Sequence, residues 1–224
     1  MVKTIFILVF LLFNSGSSSE REKATAILNE INNTYQNNAI FSKIQYSLTY
    51  PKSAENNDLI QGKVILDNNY LYSQLGPIEQ LQNDKYLIFA DSEQKQILIY
   101  NSEKNFRKEV VTTQYTDSLV KKQESLSLIE NGENTKLNFI FNSNSVDNAI
   151  LDVNNKLFLI NSLTVFFKQT EEQESSILNI KFDYLDIKQT KKPIASDFAK
   201  IKSGKFVLTG QYLGFEVHDL RNKK

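Results

Sequence analysis

The stretch ATAILNEINNTYQNNAIFSKIQYSLTY, residues 24–50, changes its hydrophobic period halfway along. Ala24, Ile27, Leu28, Ile31 and Tyr35 recur at steps of three and four, which places them on one side of a helix. After Asn37-Asn38 the step becomes two, and Ile44, Tyr46, Leu48 and Tyr50 fall on one face of a strand that Pro51 ends. Nearly everything downstream reads as more strand. The expected class is therefore α+β, mainly β: an antiparallel sheet with one leading helix over its apolar face.

Upstream of that stretch lies an export segment. Lys3 gives a positive start, Ile5 to Phe13 an apolar core, and Asn14 to Ser19 a small polar exit. The core is far shorter than the ~20 residues a spanning helix needs. Residues 1–19 are expected to be a cleaved signal peptide, cut near Ser18 or Ser19, and residues 20–224 a single domain. An exported chain without cysteine fits a bacterial periplasm better than a secretory route that staples small domains with disulfides. Secretion beyond the cell is the lesser alternative.

At 224 residues the chain can bury one sizeable core. Phe (15) and Tyr (10) are abundant, Trp is absent, and Gly (7) and Pro (3) are scarce, a mixture that suits pleated surfaces. Basic and acidic side chains balance at 26 each, and Lys121-Lys122, Lys191-Lys192 and Lys223-Lys224 are short and scattered. These lysines read as solvated surface, and no nucleic-acid partner is expected. Lacking cysteine, the chain has no disulfide, no thiolate chemistry and no N-terminal lipid attachment.

Downstream, strands are expected at Ile40–Tyr50, Leu59–Leu66, Tyr70–Leu75, Lys85–Ala90 and Gln96–Tyr100. Gly62 inside the second marks a bulge or a close backbone approach, Asp67-Asn68-Asn69 a tight turn, and Gly76-Pro77 a break. Phe106–Thr113 reads as another strand, while Asp117–Leu128 carries a weak helical period through Leu119, Ser125 and Leu128. Asn131-Gly132 signals a hairpin into Leu137, Phe139 and Phe141. Ala149–Val153 and Lys156–Ile160 flank a two-residue turn at Asn154-Asn155; Leu163–Lys168, Ile177–Ile187, Lys205–Leu208 and Phe215–Val217 complete the set. Glu20–Asn37 is the helix, with Ser18 or Ser19 as its N-cap.

Catalytic chemistry is thinly provided. His218 is the single histidine, so no histidine pair can hold a metal, and its neighbour Asp219 points the other way along an extended segment. Asp183 and Asp186 project to opposite faces of a strand, and Glu171, Glu172 and Glu174 sit in a polar loop. No phosphate-cradling glycine loop exists, no cofactor is implied, and no enzyme is expected. What remains is apolar surface. Ile27, Leu28 and Ile31 on the helix, with Tyr46, Leu48, Val64, Leu66, Phe139, Phe141, Phe166, Phe182 and Tyr184 on the strands, are the expected lining of an apolar binding face. Each acyl methylene buried there contributes ~0.8 kcal/mol without polar chemistry.

From Leu59 onward the chain resembles a known family. Gly62-Lys63-Val64-Ile65-Leu66, then Tyr70-Leu71-Tyr72, then Asp91 with Gln96-Ile97-Leu98-Ile99-Tyr100-Asn101 are similar to the glycine strand and hairpin of the LolA-like periplasmic lipoprotein carriers. With the signal peptide and leading helix in the same order, the resemblance covers Ala24 to Asn101. It departs where Leu66-Asp67-Asn68-Asn69-Tyr70 replaces an aromatic-basic-proline segment, and where Ser92 replaces the turn glycine. The resemblance implies an open half-barrel closed by helices, whose concave inside holds the acyl chains of lipoproteins. It also implies a monomer that exchanges cargo with inner- and outer-membrane handover proteins. An interaction module with a filled interior, and a sensor of mislocalised lipoproteins, are the alternatives.

Overall fold

A computed structural model describes residues 18–50, 57–102, 123–171, 174–185, 191–203 and 205–221. Residues 1–17 of the expected signal segment lie outside these, as do the strand read at Phe106–Thr113 and residue Leu119. No helix among the described residues is long and apolar enough to cross a membrane. The fold class is the expected one: mainly β, with one long N-terminal helix and a large unclosed sheet.

The elements, in order, are helix α1 (Ser18–Asn37) and strands β1 (Ile40–Thr49), β2 (Asn57–Asp67), β3 (Tyr70–Leu75), β4 (Ile78–Gln82), β5 (Tyr86–Asp91) and β6 (Gln96–Asn101). Then come β7 (Gln123–Asn131), β8 (Asn134–Phe141), β9 (Val146–Asn154), β10 (Leu159–Phe167) and β11 (Ser176–Tyr184). The end of the chain holds α2 (Ala195–Phe198), β12 (Ala199–Lys202), β13 (Lys205–Leu208), a 3-10 turn (Gly210–Tyr212) and β14 (Glu216–Asp219). Twelve strands hydrogen-bond in the order β14-β6-β5-β4-β3-β2-β1-β11-β10-β9-β8-β7, and β12 with β13 forms a separate hairpin.

Local chemistry explains the turns. Asn68 takes a left-handed φ of 47° between β2 and β3, and Gly132 one of 60° between β7 and β8, both as turn residues should. Asp91 Oδ1 accepts from the backbone N–H of Glu93 and Gln94 at 2.9 Å, which folds the β5–β6 connection without the missing glycine. Asn83 and Asn154 act likewise, each accepting from two N–H groups further along the chain.

Four expectations change. Gly76-Pro77 is a two-residue turn, not a break: Leu75 pairs with Ile78, and β4 is a strand absent from the sequence reading. The helical period toward Leu128 gives way to β7, because Leu126 and Leu128 alternate with serines and pair across to Phe139 and Leu137. The turn after Asn154 runs through residues 155–158 with Phe158 left-handed, so the strand read at Lys156–Ile160 joins Leu163–Lys168 as one strand, β10. Helix α1 begins at Ser18, two residues before the expected Glu20, so Ser19 lies inside its first turn.

The chain divides into two compact units. The first contains Met1–Asn38, Ile44–Ile60 and Lys108–Asp183; the second Ala39–Lys43, Gln61–Arg107 and Tyr184–Lys224. In the first, one pleat face carries Leu137 and Phe139 (β8), Ala149, Leu151 and Val153 (β9), Leu163 and Val165 (β10) and Leu178 and Ile180 (β11). All are buried. In the second, Ile65, Tyr72, Leu81, Ile88, Ala90, Ile97 and Ile99 form the core with Phe198 and Tyr212 from the C-terminal segment. Gly62 there is a close approach: a Cβ would sit 2.2 Å from the Gln74 carbonyl oxygen.

Candidate functional site

Helix α1 turns Ala24, Leu28, Ile31 and Tyr35 inward, all buried, and it packs against β7 and β10 of the first unit. The stripe is the i, i+3, i+4 set of the sequence, so amphipathicity alone orients the helix. Polar links join it to the strands as well. Tyr35 Oη accepts from the Ile160 N–H at 3.4 Å, and Lys23 Nζ lies 3.5 Å from Glu130 Oε1 with both side chains exposed. Both are long, and the buried stripe adds apolar contact worth ~25 cal/mol per Å².

The expected lining divides between faces and units. Leu28, Ile31 and Phe139 are buried in the first unit, with Ile27 half-buried at the edge of the helix stripe. Phe141 and Phe182 continue the same face toward opposite ends of the sheet and are half-buried, as are Tyr46 and Leu48 beyond the buried Ile44. Phe166 lies on the other pleat face, beside Asn148 and Ile177, because its neighbour Val165 takes the inner side. Val64, Leu66 and Tyr184 belong to the second unit, where Val64 and Leu66 are fully buried.

A second concavity was not anticipated. In the second unit the C-terminal segment crosses the sheet and encloses a cleft of about 580 Å³, lined by Lys63, Tyr72, Glu79, Asp197, Lys200 and Gln211 among others. Tyr72 Oη donates to Glu79 Oε2 at 2.6 Å, and Gln211 Nε2 donates to Glu79 Oε1 at 3.1 Å and to Tyr212 Oη at 2.9 Å. Burial pushes the Tyr72 and Tyr212 phenols well above their ordinary range, and the charge of Glu79 adds to the shift in both. Phe198 stacks on Tyr212 at 4.8 Å, which fixes the segment over the sheet. Glu79 escaped the sequence reading because β4 itself did; a carboxylate inside a strand was the available signal.

Among the described residues, the candidate catalytic groups lie apart. His218 Nε2 is 3.5 Å from Glu216 Oε1, while the adjacent Asp219 is held by Arg221 at 2.8 and 2.7 Å. Among the described residues, no three His, Cys, Asp or Glu side chains come together as a metal site.

No family model matches the chain, and no curated protein matches it in sequence. Among solved structures it is similar to an uncharacterised conserved protein from Thermus thermophilus, at 10% identity over 88% of this chain and 99% of that one, with a TM-score of 0.43. It is similar also to LolA superfamily protein NE2245 from Nitrosomonas europaea, at 10% identity over 71% of this chain and 91% of that one (TM-score 0.33). A chain of the Pseudomonas aeruginosa MucA/MucB complex matches at 8% identity over 84% of this chain and 63% of its own length (TM-score 0.36).

Proposed function

We propose that this chain is an exported, non-enzymatic binding protein for acylated or otherwise apolar ligands, taken up against the sheet face beneath α1. It would act in the periplasm as a monomeric carrier, its mature form starting near Ser18 or Ser19, and exchange its cargo with membrane-bound partners. The carrying observation is that one apolar face outruns its cover. Phe139 and Ile180 are fully buried, whereas Phe141 and Phe182, each two residues further along the same strand, are half-exposed, as are Tyr46 and Leu48 on β1. A guest lying along the face toward any of these side chains gains ~0.8 kcal/mol per methylene buried.

The test uses the native absence of cysteine. Delipidated protein is titrated with a fluorescent fatty acid, then K23C/E130C is bridged by a short bis-maleimide that pins the helix. Saturable uptake by the free protein, reduced at least about tenfold on bridging, is the expected result. Absence of uptake, with no co-purifying lipid by mass spectrometry, overturns the carrier. It would favour the second reading, an envelope interaction module, which the fully buried centre of the same face supports.

A further inference from the structure

We infer that the cleft of the second unit binds a small amphoteric ligand, its ammonium met by Glu79 and its carboxylate by the lysines at the rim. The starting point is Glu79. It is only 9% exposed, and its two described partners, Tyr72 and Gln211, are neutral donors. Among the described residues, no Lys, Arg or His nitrogen lies within 4.0 Å of it. Carboxylates this far out of water are normally paired with a cation, because neutral hydrogen bonds do not cancel the charge. Glu79 lines an open cleft, so a ligand can supply that cation.

The opposite imbalance surrounds it. Lys63, Lys191 and Lys200 line the same cleft, and none has a carboxylate within 4.0 Å among the described residues. Lys63 Nζ instead sits 5.3 Å from the centre of the Tyr72 ring. Asp197, also on the cleft, accepts from the Ile194 N–H through Oδ2. A polyanion would meet Glu79 and Asp197, and a polycation would meet three lysines. A molecule carrying one charge of each sign satisfies both sets. Tyr72, Tyr212 and Pro193 offer its apolar body a wall, and about 580 Å³ falls within the usual range of small-molecule sites. The chemistry fits an amino acid, an ω-amino acid or a peptide with free ends.

This inference stands apart from the acyl-binding face and fails separately from it. Calorimetric titration of the full chain with alanyl-alanine and 6-aminohexanoate brackets the separation of the two charges. We expect saturable binding of at least one, weakened at least about tenfold by N-acetylation of the probe, by its C-terminal amidation, and by Glu79→Gln. Putrescine, with two ammonium groups, should bind at least about tenfold more weakly than the amphoteric probe. The inference is overturned if neither probe binds, if the acetylated form or putrescine binds as well as the parent, or if folded E79Q binds unchanged. Should E79Q fail to fold, the acetylated probe on the native chain decides. A null result leaves Glu79 as a tie between the C-terminal segment and β3.

Discussion

Replacing Gly62 by alanine tests whether the second unit is packed as tightly as its register implies. Gly62 pairs with Leu75 across β2 and β3, and the new Cβ would lie 2.2 Å from the Gln74 carbonyl oxygen and 3.1 Å from Leu75 Cδ1. Real Cβ contacts essentially never fall below 3.0 Å, so the strands must part at that point. The obstacle is backbone, which cannot rotate away as a side-chain tip can. Overpacking of this kind costs ~1–3 kcal/mol, and the lost chain entropy of glycine returns ~0.4–1 kcal/mol. A net loss of about 1 kcal/mol follows, or roughly 2–4 °C in melting temperature for a chain of this size. Gly132 is the control. Its φ is +60° and nothing lies within 4 Å of the added Cβ, so alanine there meets strain of about 1 kcal/mol without a clash. Asparagine, which tolerates the left-handed region, should recover most of the loss at residue 132 and deepen it at residue 62. Thermal melts of G62A, G62N, G132A and G132N decide the matter. A G62A protein that melts at or above the native temperature refutes the argument.

Other perturbations separate the remaining claims. Phe139→Ala should cost ~3–5 kcal/mol in urea unfolding, since Phe139 is fully buried, whereas Phe166→Ala on the other pleat face should cost under ~2 kcal/mol. Tyr70, Tyr72 and Tyr212 all hold their protons above the ordinary phenol value of 10.0, each chiefly through burial. The unfolded chain therefore ionises first, and stability present at neutral pH is lost as pH rises past about 10, with Y72F flattening the fall. Ultraviolet titration of phenolate against unfolding should show that lag. Asp219 is depressed below its ordinary 3.8 by hydrogen bonds from Arg221. Its small contribution exists above that value and disappears as pH falls through the lower folded value, so native and D219N melting curves should merge in strong acid.

Much of the fold was legible because its signals are local. The stripe from Ala24 to Tyr35 and the alternation that begins at Ile44 need only near neighbours, and the turns at Asn68 and Gly132 need only residues that accept positive φ. One strand and one pairing escaped. β4 is five residues with four of them buried in succession, Glu79 to Gln82, so it lacks the alternation by which a strand is recognised. β14 pairs in parallel with β6, a register set by contacts more than a hundred residues apart that no local pattern encodes.

The candidate sites follow the same division. Apolar residues could be read from period alone, and Leu28, Ile31 and Phe139 are all buried in the first unit. Phe166 was misplaced within that set because Phe166 and Phe167 are adjacent aromatics, and only the pairing of Val165 with Ala149 and Leu178 says which takes which side. The cleft around Glu79 was beyond reach for a different reason. Its carboxylate and its donors come from β4, β3 and the 3-10 turn, with Gln211 lying 132 residues from Glu79. No spacing rule joins those positions. They meet because the C-terminal segment covers one pleat face of β2 to β6 with Phe198 and Tyr212, so a strand that would have faced water on that side becomes the floor of a pocket. A charged residue on such a face is solvated if the segment is absent and buried once it docks. The same docking that stabilises the second unit thus creates the uncompensated carboxylate on which the ligand inference rests.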